Sequence, residues 1–252
     1  MTRIIMNGCN GKMGQVITQI ADSREDCEIV AGFDINETQM SSYPVFSNPF
    51  DFNGEADVLI DFSHPSALTN ILNFCKERKI PAVICTTGLT NEQKNEKTAA
   101  AENIGVFFSA NMSLGINLLI DLVQRATRIL EDSFDIEIVE RHHNQKIDAP
   151  SGTALAIADA IAETLSTPPE YVYDRHSVRN KRKSTEIGIH AVRGGTIVGD
   201  HTVIFAGKDE VIEVKHSAAS KEVFAVGAVK AALYMAGKEK GMYNMNNLIS
   251  EQ

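Results

Sequence analysis

The chain has 252 residues, a formal net charge of −9 and 43% hydrophobic residues, which is enough for one large domain or two of ordinary size. The acidic balance argues against a nucleic-acid partner, because phosphate binding depends on clustered Lys and Arg. No segment approaches the roughly 20 apolar residues of a membrane span, and the N-terminus lacks the apolar core of a signal peptide. We therefore expect a soluble, cytoplasmic protein.

The first part of the chain alternates short apolar, β-rich runs with helical patterns. This alternation is typical of a parallel sheet with flanking helices. The predicted strands are Ile4–Asn7, Ile29–Asp34, Val58–Phe62, Ala82–Cys85 and Val106–Ser109. The predicted helices are Met13–Ala21, Ser66–Lys79 and a segment opened by Thr90, for which Gln93 completes a capping box.

After an amphipathic helix around residues 116–130, the pattern changes to strand alternation at Phe134, Ile136 and Ile138. The strand-like runs Gly188–Val192, Thr202–Phe205 and Val211–His216 follow without helices between them, which favours a mixed or antiparallel sheet. A last helix, Glu222–Ala236, has the composition to pack back on the first domain.

These patterns predict two domains. The first is an α/β domain with a Rossmann-type, doubly wound parallel sheet over residues 1–113, completed by residues 222–252. The second is a smaller α+β domain over residues 114–221, with a mixed or antiparallel sheet, which we expect to bind substrate and to mediate oligomerisation.

The cysteines and the densest basic run are predicted to have no chemical role. Cys9, Cys27, Cys75 and Cys85 form no C-x-x-C pair and no metal-ligand spacing with His, so we interpret them as reduced core thiols. The basic run at residues 179–183 is predicted to be a solvated loop, and the alternative is a patch that attracts an anionic substrate.

A glycine-rich turn lies between the first predicted strand and the first helix. In Asn7-Gly8-Cys9-Asn10-Gly11-Lys12-Met13-Gly14 the spacing is G-x-x-G-x-x-G. Glycines let the backbone approach a pyrophosphate, and the helix N-terminus offers unpaired N–H groups. The second strand ends in Asp34, about 20 residues beyond the last glycine, as a dinucleotide site requires. We therefore predict a nicotinamide dinucleotide site.

Asp34 sets the expected cofactor preference. A carboxylate here binds ribose hydroxyls and disfavours a 2′-phosphate, and the next residue is Ile35 rather than an Arg that would favour NADP. The sequence thus favours NADH, while Lys12 leaves NADPH possible.

Two further polar turns follow predicted strands, Cys85-Thr86-Thr87-Gly88 and Ser109-Ala110-Asn111-Met112. Each by itself is an ordinary turn. Because open parallel sheets bind ligands at the carboxyl ends of their strands, both turns are predicted to reach the same crevice as the glycine loop.

The densest group of chemically active side chains lies in the run from Glu140 to Ala154, which is predicted to be a loop that leads into the helix Ala154–Thr164. Ser151 and Thr153 are candidate caps for that helix, and its N–H groups could instead bind a substrate carboxylate.

His142 and His143 are adjacent, and a metal site is disfavoured because ligands that share a helix face come at i, i+4. A surface pair with no role is a second alternative. An acid/base cluster fits best, because His titrates near neutrality and Lys146 adds a fixed positive charge.

Several motifs together resemble the dihydrodipicolinate reductase family over nearly the full length. They are the glycine loop with its Met, the Cys-Thr-Thr-Gly and Ala-Asn-Met-Ser turns, Arg193-Gly194-Gly195, and the run Glu-Arg-His-His-Asn-Gln-Lys-Ile-Asp-Ala-Pro-Ser-Gly-Thr-Ala, which is the most specific. The resemblance implies a cytoplasmic homotetramer of bacterial diaminopimelate and lysine biosynthesis. Its expected reaction is the reduction of hydroxytetrahydrodipicolinate to tetrahydrodipicolinate with NADH or NADPH.

The resemblance also implies roles for individual residues. His142 would be the proton donor or acceptor and Lys146 a second proton donor, while His143, Gly152 and Thr153 would hold the substrate carboxylates. The cofactor would be lined by Gly8, Cys9, Asn10, Gly11, Lys12, Met13, Asp34, Cys85, Thr86, Thr87, Ser109, Ala110, Asn111 and Met112.

The chain departs from the family at two positions. Cys85 stands where the family commonly has Gly, and its backbone would serve equally well. Lys221 stands where the family commonly has Arg, and it lacks the bidentate donor geometry of a guanidinium.

Three other classes of protein could share the first domain. An aldehyde-oxidising dehydrogenase would need a nucleophilic Cys, and Cys85 has no evident His partner in the sequence. An NAD-sensing regulator catalyses no proton transfer, so the acid/base cluster of His142 and Lys146 disfavours this class. A methyltransferase could also carry an acidic residue after its second strand, and the Ala-Pro-Ser-Gly-Thr run disfavours it.

Overall fold

The computed structural model describes residues 1–251 and contains two compact units. One unit comprises Met1–Leu114 together with the C-terminal segment from Glu222, and the other comprises Gly115–Lys221. The strands are β1 (Thr2–Asn7), β2 (Cys27–Phe33), β3 (Val45–Phe46), β4 (Val58–Asp61), β5 (Ala82–Ile84), β6 (Gly105–Phe108), β7 (Asp135–His142), β8 (Glu170–Val172), β9 (Glu186–Arg193), β10 (Gly199–Ala206), β11 (Val211–Ala218) and β12 (Gly241–Tyr243). The helices are α1 (Lys12–Asp22), α2 (Leu68–Arg78), α3 (Asn91–Ala100), α4 (Leu114–Leu130), α5 (Gly152–Ala162), α6 (Glu222–Met235) and α7 (Met245–Ser250).

The first unit is built on a seven-stranded sheet in the order β12-β6-β5-β4-β1-β2-β3, and every strand pair in it is parallel. From β1 the chain adds β2 and β3 on one side, and from β4 it adds β5, β6 and β12 on the other side. Such folds bind their ligands between the two strands at which the order reverses, here β1 and β4. Alternate residues of β1 point to different cores: Ile4 packs with α1 and α6, and Ile5 packs with α2 and α3. Helices therefore cover both faces of the seven-stranded sheet, as we predicted for a doubly wound domain.

The second unit has a five-stranded mixed sheet in the order β11-β10-β7-β9-β8. β7 pairs antiparallel with β10 and parallel with β9, and β11 is an edge strand. One face packs against α4 and α5 through a core that contains Ile136, Ile138, Ile157 and Ile161. The mixed sheet predicted from the uninterrupted strand runs is confirmed.

Local signals predicted several features correctly. Thr90 and Gln93 form the expected capping box at the start of α3. In the structure α6 packs against α1, β4 and β5 of the first unit, for which the sequence showed only a suitable composition. All four cysteines are buried and free. The strands β3, β8 and β12 were not predicted. They are as short as β5 or shorter, and unlike β5 they are not a continuous buried apolar run.

Two predictions around α5 were wrong. Residues 140–142 belong to β7 rather than to a loop, because Glu140 and His142 continue the buried face of Ile136 and Ile138 with polar side chains. Thr153 is not a cap but the second residue of α5, because the Ser151 hydroxyl accepts the N–H of Ala154 and starts the helix directly after itself.

No helix within residues 1–251 is long and apolar enough to cross a membrane.

Candidate active site

The turn between β1 and α1 has a shape that only glycine permits. Gly8 has φ +82°, and a Cβ atom there would lie 2.5 Å from the carbonyl oxygen of Phe62. A Cβ atom on Gly14 would lie 2.2 Å from the carbonyl oxygen of Gly8. The glycines thus let the turn pack closely against the backbone that follows β4 and against the first turn of α1, which is what a phosphate-binding turn requires.

The start of α1 has no side-chain cap. Gly11 is the N-cap residue, so no hydroxyl or carboxylate accepts hydrogen bonds from the first N–H groups of this helix. Asp34 lies beside the same turn at the end of β2, where its carboxylate accepts the N–H of Asn10 at 3.0 Å and the N–H of Asn36 at 3.1 Å. A pyrophosphate fits at the uncapped N–H groups of the helix N-terminus, and ribose hydroxyls fit at the Asp34 carboxylate.

A buried carboxylate joins three strand ends in the same unit. Asp61 is the last residue of β4 and is fully buried. It accepts hydrogen bonds from the Asn7 side chain at 2.7 Å, the Ser63 hydroxyl at 2.5 Å and the Thr86 hydroxyl at 2.8 Å. Burial raises the pKa of Asp61, and these three neutral donors offset only part of that effect. The network fixes the turns after β1, β4 and β5.

The predicted cofactor residues do not all present side chains to the crevice. Cys9, Cys85 and Met112 have buried side chains within the hydrophobic core, so only their backbone remains to line a ligand. The exposed residues are Gly11, Lys12, Thr87 and Ala110, and those of intermediate exposure are Gly8, Asn10, Met13, Asp34, Ser109 and Asn111. Burial raises the pKa of Cys85 well above its usual value, so this thiol is not an activated nucleophile.

The second unit contains a cluster centred on Glu140, whose side chain is fully buried. Its carboxylate forms a bidentate ion pair with Arg193, at 2.7 and 2.8 Å, and accepts the N–H of Ser151 at 2.9 Å. It also lies 2.6 Å from Nδ1 of His142. Burial alone would raise the pKa of Glu140, but the hydrogen bonds from Arg193 and His142 lower it below its usual value.

The ionised Glu140 determines the orientation of His142. A carboxylate can only accept, so Nδ1 of His142 donates to it and Nε2 is left to exchange a proton. His142 and Glu140 alternate with Ile138 on one face of β7, which places both at the end of the strand that precedes α5. Gly199 on β10 leaves the ring room, because a Cβ atom there would lie 3.0 Å from Nε2 of His142.

The remaining predicted site residues lie between β7 and the first turn of α5. Nζ of Lys146 lies 2.8 Å from a carboxylate oxygen of Asp148. His143 is half-buried, and its carbonyl accepts the N–H of Lys146. Gly152 is exposed, and no atom lies within 4 Å of the position that a Cβ would take there. Thr153 follows it in α5, whose N-terminus favours an anionic group.

One residue of this cluster was not predicted from the sequence. His201 on β10 is directly opposite Glu140, and its ring contacts that of His142 at a centroid distance of 5.2 Å. The alternation of His201 with Val203 and Phe205 could have placed it on the buried face of its strand. In the first unit, Asp61 and Ser63 could have been found by applying the strand-end rule to β4.

The basic run at residues 179–183 is only partly the solvated loop that was predicted. Arg179 and Lys181 are exposed, but Arg182 forms ion pairs with Asp135 at 2.6 Å and with Glu137 at 3.0 Å. Arg182 therefore fastens this segment to β7. Lys221, at the departure from the family pattern, is exposed directly before α6. Within residues 1–251, no group of three or more His, Cys, Asp or Glu is placed to hold a metal ion.

Comparison with protein families gives two adjoining matches. Residues 2–112 match the family described as "Dihydrodipicolinate reductase, N-terminus", and residues 115–249 match "Dihydrodipicolinate reductase, C-terminus".

Similar curated proteins carry one name. The chain is 51% identical over 250 residues to the 4-hydroxy-tetrahydrodipicolinate reductase of Clostridium tetani, which covers 99% of this chain and 98% of the relative. It is 53% identical over 251 residues to that of Caldanaerobacter subterraneus, which covers 100% and 99%. Among solved structures, a dipicolinate-bound dihydrodipicolinate reductase from Paenisporosarcina sp. TG-14 superposes with a TM-score of 0.81 at 28% identity, over 98% of this chain and 99% of that one.

Proposed function

Because the chain belongs to the dihydrodipicolinate reductase family, we propose that it reduces 4-hydroxy-tetrahydrodipicolinate with NADH and that His142 and Lys146 supply the proton. The chain is an oxidoreductase that uses NAD(P)H and acts in diaminopimelate and lysine biosynthesis. Its substrate is a small dicarboxylate. The observation that carries the proposed roles is the Glu140 carboxylate, which binds Nδ1 of His142 and leaves Nε2 for proton transfer.

The first unit would hold the cofactor, which supplies the hydride. The uncapped start of α1 and the turn at Gly8 would bind the pyrophosphate, and Asp34 would accept hydrogen bonds from the ribose. The Asp61 network would keep Thr86 and the turn after β5 in place. Backbone and exposed atoms of the other predicted residues would complete the lining.

The preference for NADH rests on Asp34. A 2′-phosphate beside this carboxylate would be repelled, and Ile35 offers no compensating positive charge. We expect Asp34→Ala to raise the ratio of kcat/KM for NADPH to that for NADH by about tenfold or more. An unchanged ratio would show that residues other than Asp34 determine the preference between NADH and NADPH.

The second unit would hold the substrate and move the proton. The N-terminus of α5 at Gly152 and Thr153, with His143 beside it, offers donors and positive potential to the two carboxylates. Hydride addition to a conjugated imine places negative charge on the ring. A cationic His142 and Lys146 would stabilise that charge, and one of them would deliver the proton.

The resemblance implies a cytoplasmic homotetramer. Light scattering after size-exclusion chromatography measures the mass directly, and a monomer would contradict this part of the proposal.

The central test uses substrate generated in situ by dihydrodipicolinate synthase, with the loss of NADH absorbance as the readout. We expect His142→Gln and Lys146→Ala each to lower kcat by about 100-fold, as loss of an acid/base group does. The exposed His176 provides a matched control, and His176→Gln should leave kcat unchanged. Full activity of His142→Gln would exclude the proposed proton donor without affecting the family assignment.

A further inference from the structure

We infer that His201 is a positioning residue for His142, holding its imidazole against Glu140 while fixing the start of α5. This inference rests on the proposed role of His142. His201 is 4% exposed and lies on β10 directly opposite Glu140, on the face of the sheet that packs against α5.

The contacts of His201 close a ring of four residues. Its own ring meets that of His142 edge to face, at an interplanar angle of 72°. Its Nε2 lies 3.2 Å from the Ser151 hydroxyl, which caps α5. The N–H of Ser151 donates to Glu140, and Glu140 accepts from Nδ1 of His142. Displacement of any member is therefore transmitted to the others.

The charge state of His201 suits this position. Burial lowers the pKa of His201 to about 4, with the neighbouring His142 and His216 acting in the same direction and Glu140 and Asp200 opposing it. His201 is therefore uncharged at neutral pH. An uncharged His201 packs against His142 without adding a positive charge beside it, and Arg193 is ion-paired with Glu140.

A simple packing role does not explain why a histidine occupies this position. Nδ1 of His201 is buried and has no hydrogen-bond partner within residues 1–251, which is unfavourable. A Phe would fill similar space without that cost. The bond to Ser151 and the ring contact with His142 together are what a histidine provides and a purely apolar side chain does not.

The test is a double-mutant cycle on the full-length enzyme with His142→Gln and His201→Phe, in which kcat is measured by NADH oxidation. Because His201 acts through His142, we expect His201→Phe to lower kcat by about tenfold in the wild type and by less than about twofold when His142 is already Gln. The affinity for dipicolinate, measured by calorimetry, should change by less than about threefold, because His201 does not itself bind the substrate.

His216 provides the matched control. It is paired with His201 on β11, its pKa is also lowered by burial, and its Nδ1 is likewise buried without a partner in the described chain. His216→Gln should leave kcat within about twofold of the wild type. If His201→Phe does not fold, as judged by its melting temperature, His201→Gln enters the same cycle, since its amide can still reach Ser151.

The outcomes separate the two hypotheses. An equal loss of kcat from the His201 change in both backgrounds, or the same loss in His216→Gln, would overturn the positioning role. Full activity of His142→Gln would instead refute the proposed function of His142, and the inference would fall with it.

Discussion

Each unit of the molecule buries one carboxylate at the end of a strand, and the two are stabilised in opposite ways. Asp61 is held by neutral donors only, and burial raises its pKa. Glu140 is held by Arg193, by His142 and by a backbone N–H, and its pKa is lowered despite burial. The comparison shows that the partners of a buried acid, rather than burial itself, decide the direction in which its pKa is shifted.

This difference matches the task proposed for each unit. A dinucleotide site needs turns held in place by hydrogen bonds, and a carboxylate among hydroxyl and amide groups serves as a common acceptor for three strand ends. A site that moves a proton needs a histidine with a fixed orientation, and an ionised carboxylate supplies it. Four experiments test the comparison, in order of decreasing expected effect.

Removal of the charge on Glu140 should be the most damaging change. Glu140→Gln leaves Arg193 largely buried without its ion-pair partner, so we expect the free energy of unfolding to fall by about 3 kcal/mol or more. Urea denaturation measures it. The control is Glu55→Gln, which removes an exposed partner of Arg3 and should have no measurable effect. Equal losses of unfolding free energy in the two variants would show that the ion pair of Glu140 contributes no more to stability than an exposed one.

The pH dependence of stability should report the buried His201. Its pKa is about 4 in the folded chain and 6.5 when unperturbed, so the unfolded state binds an extra proton between these values. Stability should therefore be complete above about pH 6.5 and fall as the pH drops towards 4, with His201 contributing up to about 3 kcal/mol. His201→Gln should flatten the profile in this window, and an unchanged slope would mean that His201 is charged or exposed.

Asp61→Asn tests the neutral network. The amide offers one acceptor oxygen where the carboxyl group offers two, so the Thr86 turn should loosen and KM for NADH should rise about tenfold with little change in kcat. Because the pKa of Asp61 is raised, stability linked to it is present at low pH and lost as the pH rises. The stability of the variant relative to the wild type should thus increase as the pH rises above 3.8, the ordinary pKa of Asp, whereas the exposed control Asp51→Asn should show no such trend.

The smallest effect compares two helix caps. Ser151→Ala removes a buried cap that also contacts His201, and we expect a loss of about 1–2 kcal/mol. Thr90→Ala removes the exposed cap of α3, and about 0.5–1 kcal/mol should be lost. Thermal unfolding measures the loss of stability in both variants. A larger loss in Thr90→Ala than in Ser151→Ala would argue against coupling between Ser151 and the Glu140 cluster.

Local patterns were sufficient to predict much of this protein. The alternation of strands and helices, the glycine spacing and the position of Asp34 predicted a parallel sheet with a nucleotide-binding turn, because each depends on neighbours along the chain. The capping box of Thr90 was predicted for the same reason, and Ser151 was one of two candidate caps for α5. The resemblance in the run from Glu140 to Ala154 identified His142 and Lys146 as the acid/base candidates.

The partners of those residues could be found only in the tertiary structure. Arg193 and His201 lie 53 and 61 positions from Glu140, and they meet it because β9 and β10 flank β7 in the sheet. Likewise, Asp61 meets Asn7 and Thr86 because β4 lies between β1 and β5. The sequence by itself determined α1 to α6, every strand except β3, β8 and β12, and the glycine turn, since these depend on local periodicity and backbone freedom. Only strand order decided the direction of the pKa shift of each buried carboxylate, because that depends on groups brought together from distant parts of the chain.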